Sequence, residues 1–284
     1  MKNILITAVS GNIGSQIVKI FQEQNIDFIA GVTSLDKSVS NTKNVLVDFN
    51  NKENLIKAFE GVDTLFLLYA MGEKMIDWNK NAVDAAKIAG VKHIVRSSGA
   101  GADSHADFLM PRVQGTIDDY IKNSGIDYTI TRPAAFMQNF ETFMTHDIKN
   151  GTVYQPLKVD AKLNWVDVRD IAAVNAAILL SPYDYRNQEI TISGNDNLSY
   201  NDGLQIIAKA INNPIQFVTV PDEGAIEAMK SYHMSQFNID MMMSLNAIIN
   251  LGYAAFTTTA VIDITGKEPI TFEQFVNDYK LTWI

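Results

Sequence analysis

The sequence predicts a doubly wound α/β fold: a parallel sheet with helices on both faces, followed by a smaller helix-rich cap. Three observations predict it. Short apolar runs alternate with stretches of helical periodicity as far as about residue 150. Each run is followed by a segment long enough to cross over the sheet and start a parallel neighbour. A glycine-bearing turn, Thr7 to Gly14, joins the first run to the first helix.

Residues 3–7 form an apolar run suited to a buried parallel strand. Ile13, Ile17, Val18, Ile20 and Phe21 then recur at helical spacing. Strands follow at 28–32 and 44–47, the second ending at Asp48, and a helix at 55–59 closes on Gly61. A strand at 64–68 leads to a long helix at 75–89, ended by Gly90. Strand 93–97, helix 113–122 stopped by Ser124-Gly125, and strand 128–131 complete this half. Beyond it come an Ala-rich helix at 166–180, a strand at 189–193, a helix at 200–210 and helical stretches at 223–232 and 240–251. The expected division is a domain at 1–151, rejoined by a strand near 188–193, and a cap at 152–284. The cap should lie over the carboxyl ends of the strands, where open α/β sheets bind ligands.

Composition narrows the function. Acids outnumber Lys and Arg by 32 to 23, with no long basic run, which argues against a nucleic-acid partner. With no cysteine there is no disulfide, thiolate metal site or thiol nucleophile. No apolar run approaches the roughly 20 residues of a membrane span, so the expected setting is cytoplasmic, as a monomer or homodimer. His105, in an Asp-rich loop, is a weak metal candidate, and no metal site is expected. His93 lies in an apolar strand and reads as a core residue.

The turn Thr7-Ala8-Val9-Ser10-Gly11-Asn12-Ile13-Gly14 sits between a strand and a helix, the context that gives a glycine pattern meaning. Gly11 lets the backbone approach a pyrophosphate, and Gly14 lets the helix pack closely on the strand. The helix N-terminus adds free N–H groups and partial positive charge. Ala8 stands where a tight turn favours Gly, and a positive φ there costs a Cβ on the order of 1 kcal/mol. The bland alternative is a βα turn without any cofactor. At the third strand end, the Asp48 carboxylate and Phe49 backbone suit an adenine edge, or Asp48 simply serves a surface turn. After the second strand, Thr33, Ser34 and Lys37 suit a 2′-phosphate, and no acid stands directly at the strand end. The balance tilts toward NADP(H) over NAD(H), with Asp36 and the lack of an Arg against it.

Several segments together resemble the NmrA-like branch of the atypical short-chain dehydrogenase/reductases. They are Thr7 to Gly14, Ala86 to Val95, Ser97-Ser98-Gly99-Ala100, Ser124-Gly125-Ile126, Thr131 to Asn139, Val166 to Ala172 and Thr265 to Phe275. The resemblance implies a Rossmann-type fold and spans nearly the whole chain. It implies reduction of a quinone-like or conjugated small-molecule electron acceptor, or, in a rival reading, a non-catalytic NAD(P)-sensing regulator. It places Thr7, Ser10, Gly11, Asn12, Ile13 and Gly14 in the cofactor turn, with Gly11, Asn12 and Ile13 along the pyrophosphate. Thr33 and Lys37 fall at the 2′-phosphate, Asp48 and Phe49 at the adenine, and Leu68, Tyr69 and Ala70 beside the ribose. Ser98, Gly99, Pro133 and Phe136 border the nicotinamide, while Phe136, Asn139 and Trp165 reach into the substrate cleft. The chain departs from the pattern at Ala8, at Thr33, where NADP-binding members often carry Arg, and at Gln114, where many carry Lys or His.

The Tyr–Lys dyad of typical short-chain dehydrogenases needs its partners four residues apart on one helix face. Tyr154 and Lys158 have that spacing, but Pro156 between them forbids a helix interior. Reduction of a conjugated acceptor does not require the dyad, because water can protonate the product. Gln114 and Asn139 then become candidate neutral donors to an acceptor oxygen, and Tyr69 a candidate phenolic proton donor. Each is equally an ordinary pocket residue. Arg132 and the Arg169-Asp170 pair read as packing and ion-pairing residues.

Overall fold

The computed structural model describes residues 3–284. Strand β1 (Ile4–Ile6) leads into helix α1 (Asn12–Glu23), then β2 (Ile29–Val32) and β3 (Lys43–Leu46). Helix α2 (Lys52–Ala58), β4 (Thr64–Leu67), α3 (Met75–Ala89), β5 (His93–Ser97), α4 (Leu109–Lys122) and β6 (Asp127–Pro133) follow. Next come β7 (Ala135–Phe136), α5 (Asn139–Thr142), α6 (Thr145–Lys149), β8 (Thr152–Gln155) and β9 (Lys162–Val166). Helix α7 (Val168–Leu180) precedes β10 (Gln188–Ile192) and β11 (Asn197–Ser199). The chain finishes through α8 (Tyr200–Ile211), β12 (Gln216–Thr219), α9 (Asp222–Ser231), α10 (Gln236–Asn250), α11 (Ala260–Thr265) and α12 (Phe272–Tyr279).

Two compact units emerge. The first holds the chain up to Asp107, with Pro111–Arg132 and Ile171–Thr191. The second holds Phe108–Met110, Pro133–Asp170 and Ile192–Ile284. The first unit thus leaves off at Arg132, not at 151, and recovers most of α7 and β10 later in the chain. Its seven-stranded sheet has the order β10-β6-β5-β4-β1-β2-β3. Strands β1 to β6 all pair in parallel. The order reverses between β1 and β4, which makes the crevice beyond their carboxyl ends the ligand position of a doubly wound sheet.

Thr7 ties that crevice together from beneath. It is fully buried, and its hydroxyl lies 2.9 and 2.8 Å from the Phe66 and Leu68 carbonyls while accepting the Leu68 N–H at 2.9 Å. Below it Leu5, Leu65 and Ile94 pack with Leu55, Ala82 and Ala86 of the covering helices. Helix α4 starts at Leu109, four residues before the predicted 113, because Pro111 is tolerated in a first turn whose N–H groups need no intrahelical acceptor.

The second unit is less helical than its sequence suggests. Besides its helices it has a three-stranded sheet, β11-β9-β7, and a two-stranded one, β12-β8. The predicted helix 166–180 divides at Asp167. Its carboxylate accepts the Arg169 N–H at 2.8 Å, so the strand ends at Val166 and the helix starts at Val168. The core of this unit is aromatic. Trp165, Phe140, Phe272, Phe275 and Trp283 are all at most 2% exposed, and the Phe140 and Trp165 rings lie 4.9 Å apart. Gly203 makes room for them, since a Cβ there would come within 2.8 Å of the Phe140 ring and 2.9 Å of Phe272.

Arg169 bridges Asp167 and Asp278, and these partners raise its pKa. Its neighbour Asp170 is 8% exposed and accepts the Ile270 N–H at 2.8 Å. Burial pushes the Asp170 carboxyl from 3.8 up to about 6 despite that bond. A raised carboxyl pKa contributes stability at low pH that is lost as pH climbs through about 6. Two pKa units correspond to about 3 kcal/mol. Asp170→Asn keeps an acceptor for Ile270 without the charge. Its stability relative to the parent should therefore improve by up to about 3 kcal/mol between pH 4 and pH 7, read from urea unfolding. A constant difference across that range would place the charge in water.

Candidate cofactor and active site

The turn after β1 is shaped by one carbonyl. Ala8 adopts φ 53°, the left-handed region, and its carbonyl accepts the Gly11 N–H at 2.9 Å. A Cβ on Gly14 would lie 2.1 Å from that same oxygen, so only glycine lets α1 start here. Gly11 caps the helix in an extended conformation; the cap makes no side-chain hydrogen bond, and the first turn holds no acid. The N–H groups of Asn12, Ile13 and Gly14 therefore have no intrahelical acceptor. Ile13 and Gly14 are buried, whereas Ser10 and Asn12 are exposed. Unspent donors and a positive dipole end suit a pyrophosphate. Thr7, predicted to face the cofactor, instead braces the turn from the core.

Thr33 and Lys37 are both exposed beyond β2, Lys37 closing a short 3₁₀ turn. Between them Asp36 is held below its ordinary pKa, first by the Ser34 hydroxyl, and stays an anion. Asp48 is exposed, and one of its carboxylate oxygens accepts the Asn50 N–H at 2.9 Å. The backbone around it is fixed, because Asp48 donates to Asn54 at 2.8 Å and the Phe49 carbonyl accepts from Asn81 at 2.9 Å. The Phe49 ring is buried edge-on to Tyr69 at 5.4 Å.

Beyond β4 and β5 lies a cavity of about 80 Å³, lined by Leu67, Leu68, Tyr69, Met71, Met75, Arg96, Ser97, Ser98 and Gln114. Ala70, exposed, and Gly99, half-buried, follow the lining residues Tyr69 and Ser98 in the chain. The Tyr69 hydroxyl and the Ser97 hydroxyl are enclosed without a hydrogen-bond partner. Burial raises the Tyr69 phenol pKa; the Arg96 charge opposes this and Asp118 reinforces it. The phenol is thus a proton holder at neutral pH.

Sequence reasoning missed the group behind this cavity. Arg96 is the penultimate residue of β5, 2% exposed, ion-paired to Asp118 of α4, which is fully buried. Arg96 also donates to Gln114 Oε1 at 2.6 Å. The second Asp118 oxygen accepts the Ser98 hydroxyl at 3.0 Å and Arg132 at 3.0 and 3.2 Å. Arg132 reaches on to Glu189 at 2.6 Å. Two arginines face two carboxylates, so the cluster is close to neutral, which burial demands. The signal was present: an Arg inside the apolar run 93–97 requires a buried partner.

In the second unit Pro133 is buried and Phe136 is half-buried on β7, opposite Val166 of β9. Asn139, half-buried, opens the one-turn helix α5. Trp165 does not reach a cleft. It is 1% exposed, its indole N–H donates to the Leu198 carbonyl at 3.1 Å, and Phe140, Tyr200 and Phe272 enclose it. Tyr154 sits on strand β8, and the Lys158 ammonium bonds the Asn250 carbonyl, so the dyad-like spacing has no helical basis.

A doubly wound sheet whose first helix opens with unspent N–H groups at the point of strand reversal defines a dinucleotide-binding α/β protein. Within that class the chain belongs to the NmrA-like family, whose model matches residues 1–268. It is 31% identical over 276 residues to an NAD(P)H azoreductase of Xenophilus azovorans, covering 96% of both chains. A solved structure described as a nucleoside-diphosphate-sugar epimerase of Staphylococcus aureus superposes with a TM-score of 0.86 at 25% identity, covering 96% of this chain and 99% of that one. The triphenylmethane reductase of Citrobacter sp., solved with NADP(H), gives 0.83 at 21% identity, over 98% and 99%. Among the described residues no helix is long and apolar enough to cross a membrane.

The strain at Ala8 and the crowding at Gly14 give opposite predictions. Ala8→Gly should raise the thermal midpoint by the equivalent of up to about 1 kcal/mol. Gly14→Ala should lower it by at least as much, since its Cβ meets backbone. Equal midpoints for both variants would mean that the turn is free to rearrange.

Proposed function

We propose that this chain is an NAD(P)H-dependent oxidoreductase that reduces a small quinone-like or otherwise conjugated acceptor. The observation that carries the reading is the uncapped N-terminus of α1, set over the Ala8 carbonyl where β1 and β4 part. The azoreductase relative, alike over 96% of both chains, supports the reaction class. Nicotinamide, when bound, supplies the hydride.

The protein's own part is binding, orientation and proton supply. The first N–H groups of α1 hold the pyrophosphate. Thr33 and Lys37 take a 2′-phosphate and favour NADP(H), against which the Asp36 charge works. Asp48 and Phe49 receive the adenine, and Leu68 to Ala70 pass the ribose. Ser98, Gly99, Pro133 and Phe136 border the nicotinamide, while Phe136 and Asn139 serve the acceptor. Gln114 and Asn139 donate hydrogen bonds to an acceptor oxygen as negative charge develops on it. Tyr69, protonated at neutral pH, holds a proton within the cavity. An acceptor conjugated enough to take hydride needs orientation more than a strong acid.

Titration of the purified protein with NADPH and NADH by nicotinamide fluorescence tests the cofactor directly. Micromolar binding, about −8 kcal/mol, is expected, tighter for NADPH, followed by NADPH oxidation on adding menadione or an azo dye. Thr33→Arg should move the ratio of affinities further toward NADPH by roughly tenfold, the worth of one charged contact of about 1.4 kcal/mol. An unchanged ratio would put the ribose elsewhere. Binding of neither nucleotide would end the oxidoreductase reading. Asn139→Ala should slow acceptor reduction with nucleotide affinity kept, and an unaltered rate would remove Asn139 from the reaction.

A further inference from the structure

Gln114 stands in the cavity that the proposed reaction uses, and its amide has two faces of opposite character. One is an acceptor oxygen and the other a double donor, and a flip of the amide exchanges them. Here the choice is decided by the partner. The nitrogen 2.6 Å from the Gln114 amide belongs to Arg96, whose guanidinium has only donors. The amide oxygen must therefore face Arg96, and the NH₂ group is turned away from it.

Arg96 cannot easily drift from that position. Its other nitrogen is paired with Asp118, which lies four residues after Gln114 and so on the same face of α4. Asp118 is in turn held by Ser98 and Arg132. Helix α4 is pinned as well. A Cβ on Gly115 would lie 2.1 Å from the Ser104 backbone nitrogen, so helix and loop are in direct backbone contact. Gln114 and Asp118 thus grip one guanidinium from a helix that has no room to shift.

We infer that Arg96, locked by Asp118, is a positioning residue that fixes Gln114 as a hydrogen-bond donor in the cavity beyond β4 and β5. This rests on the proposed acceptor role of Gln114 and gives it a sign. The site offers N–H to an electron-rich oxygen or nitrogen, and it recognises neutral carbonyl or azo acceptors, because the Arg96 charge is already spent on Asp118. The enclosed Tyr69 hydroxyl beside the same cavity adds a second donor of the same kind. The Arg96 cation lies one layer behind the cavity, and a neutral amide carries its polarity forward.

Two measurements separate the parts of this inference. Gln114→Glu keeps an acceptor for Arg96 but removes the donor. It should retain the fold and bind NADPH within about twofold of the parent, while menadione reduction falls about 100-fold, the order seen when one transition-state donor is lost. The variant's rate should also rise toward acid pH as its carboxyl regains a proton, a titration absent from the parent. A parent-like rate in Gln114→Glu overturns the donor assignment. The second measurement needs no turnover. In the nucleotide-free protein the Gln114 side-chain amide, assigned by its loss in Gln114→Glu, should give dispersed NMR resonances. Arg96→Lys keeps the charge for Asp118 without a second nitrogen for Gln114, and should move those resonances toward random-coil values. Random-coil resonances in the parent, or parent-like ones in folded Arg96→Lys, overturn the positioning role. Should Arg96→Lys fail to fold, the parent spectrum and Gln114→Glu decide alone. A locked amide in a protein that binds NADPH but reduces neither menadione nor an azo dye would leave the positioning intact and remove the proposed reaction instead.

Discussion

The closeness of the Ala8 carbonyl to Gly14 is the contact on which the rest of the first unit depends. It brings the start of α1 directly over the end of β1, so the helix's unspent donors point across the crevice where the strand order reverses. Thr7 secures the other wall of that crevice by joining the ends of β1 and β4 through one hydroxyl. The chain accepts a left-handed alanine to keep this arrangement. A strained non-glycine residue persists where its surroundings over-determine it, and here the hydrogen bond from Gly11 and the packing of α1 do so.

Charge is handled differently at the two ends of the site. At α1 polarity comes from backbone N–H groups that no capping side chain or first-turn acid satisfies. Behind β5 it comes from side chains that are buried, paired and closed to further ionic partners. Breaking a buried pair by removing one member is far more disruptive than never having built it. Arg96 and Asp118 are therefore bound to each other's presence, and through Gln114 and Ser98 they fix what the neighbouring cavity can offer a ligand. An acidic chain can hold an anionic nucleotide in this way without a basic surface.

Two elements were legible in the sequence to the residue. Helix α3 ends where Gly90 takes φ 79°, and strand β5 is a short apolar run, so both have the bounds read from the chain. The start of the helix at 166–180 was not legible, since Val166 and Val168 flank Asp167 and a single acid there does not by itself mark the end of a strand. Strands of two to five residues in the second unit, such as β7 and β8, are too short to show a period. The turn residues were legible because their spacing is local. Trp165 was misplaced, and Arg96 with Asp118 overlooked, for the opposite reason: their surroundings come from Leu198, Tyr200 and Phe272 in one case and from α4 in the other. Arg96 within an apolar run signals a buried partner, but no local pattern says which residue supplies it.

The partition of the chain also bears on how the protein is made. Strand β6 ends at Pro133, and its outer neighbour β10 does not begin until Gln188. During synthesis the sheet therefore stands for some fifty residues with an unpaired edge, the kind of surface that invites pairing with another chain. Every residue of β7 through β9 is translated in that interval. A ribosome-bound intermediate arrested there would carry a finished nucleotide turn on an unfinished sheet, and its protection would fall to chaperones or to speed.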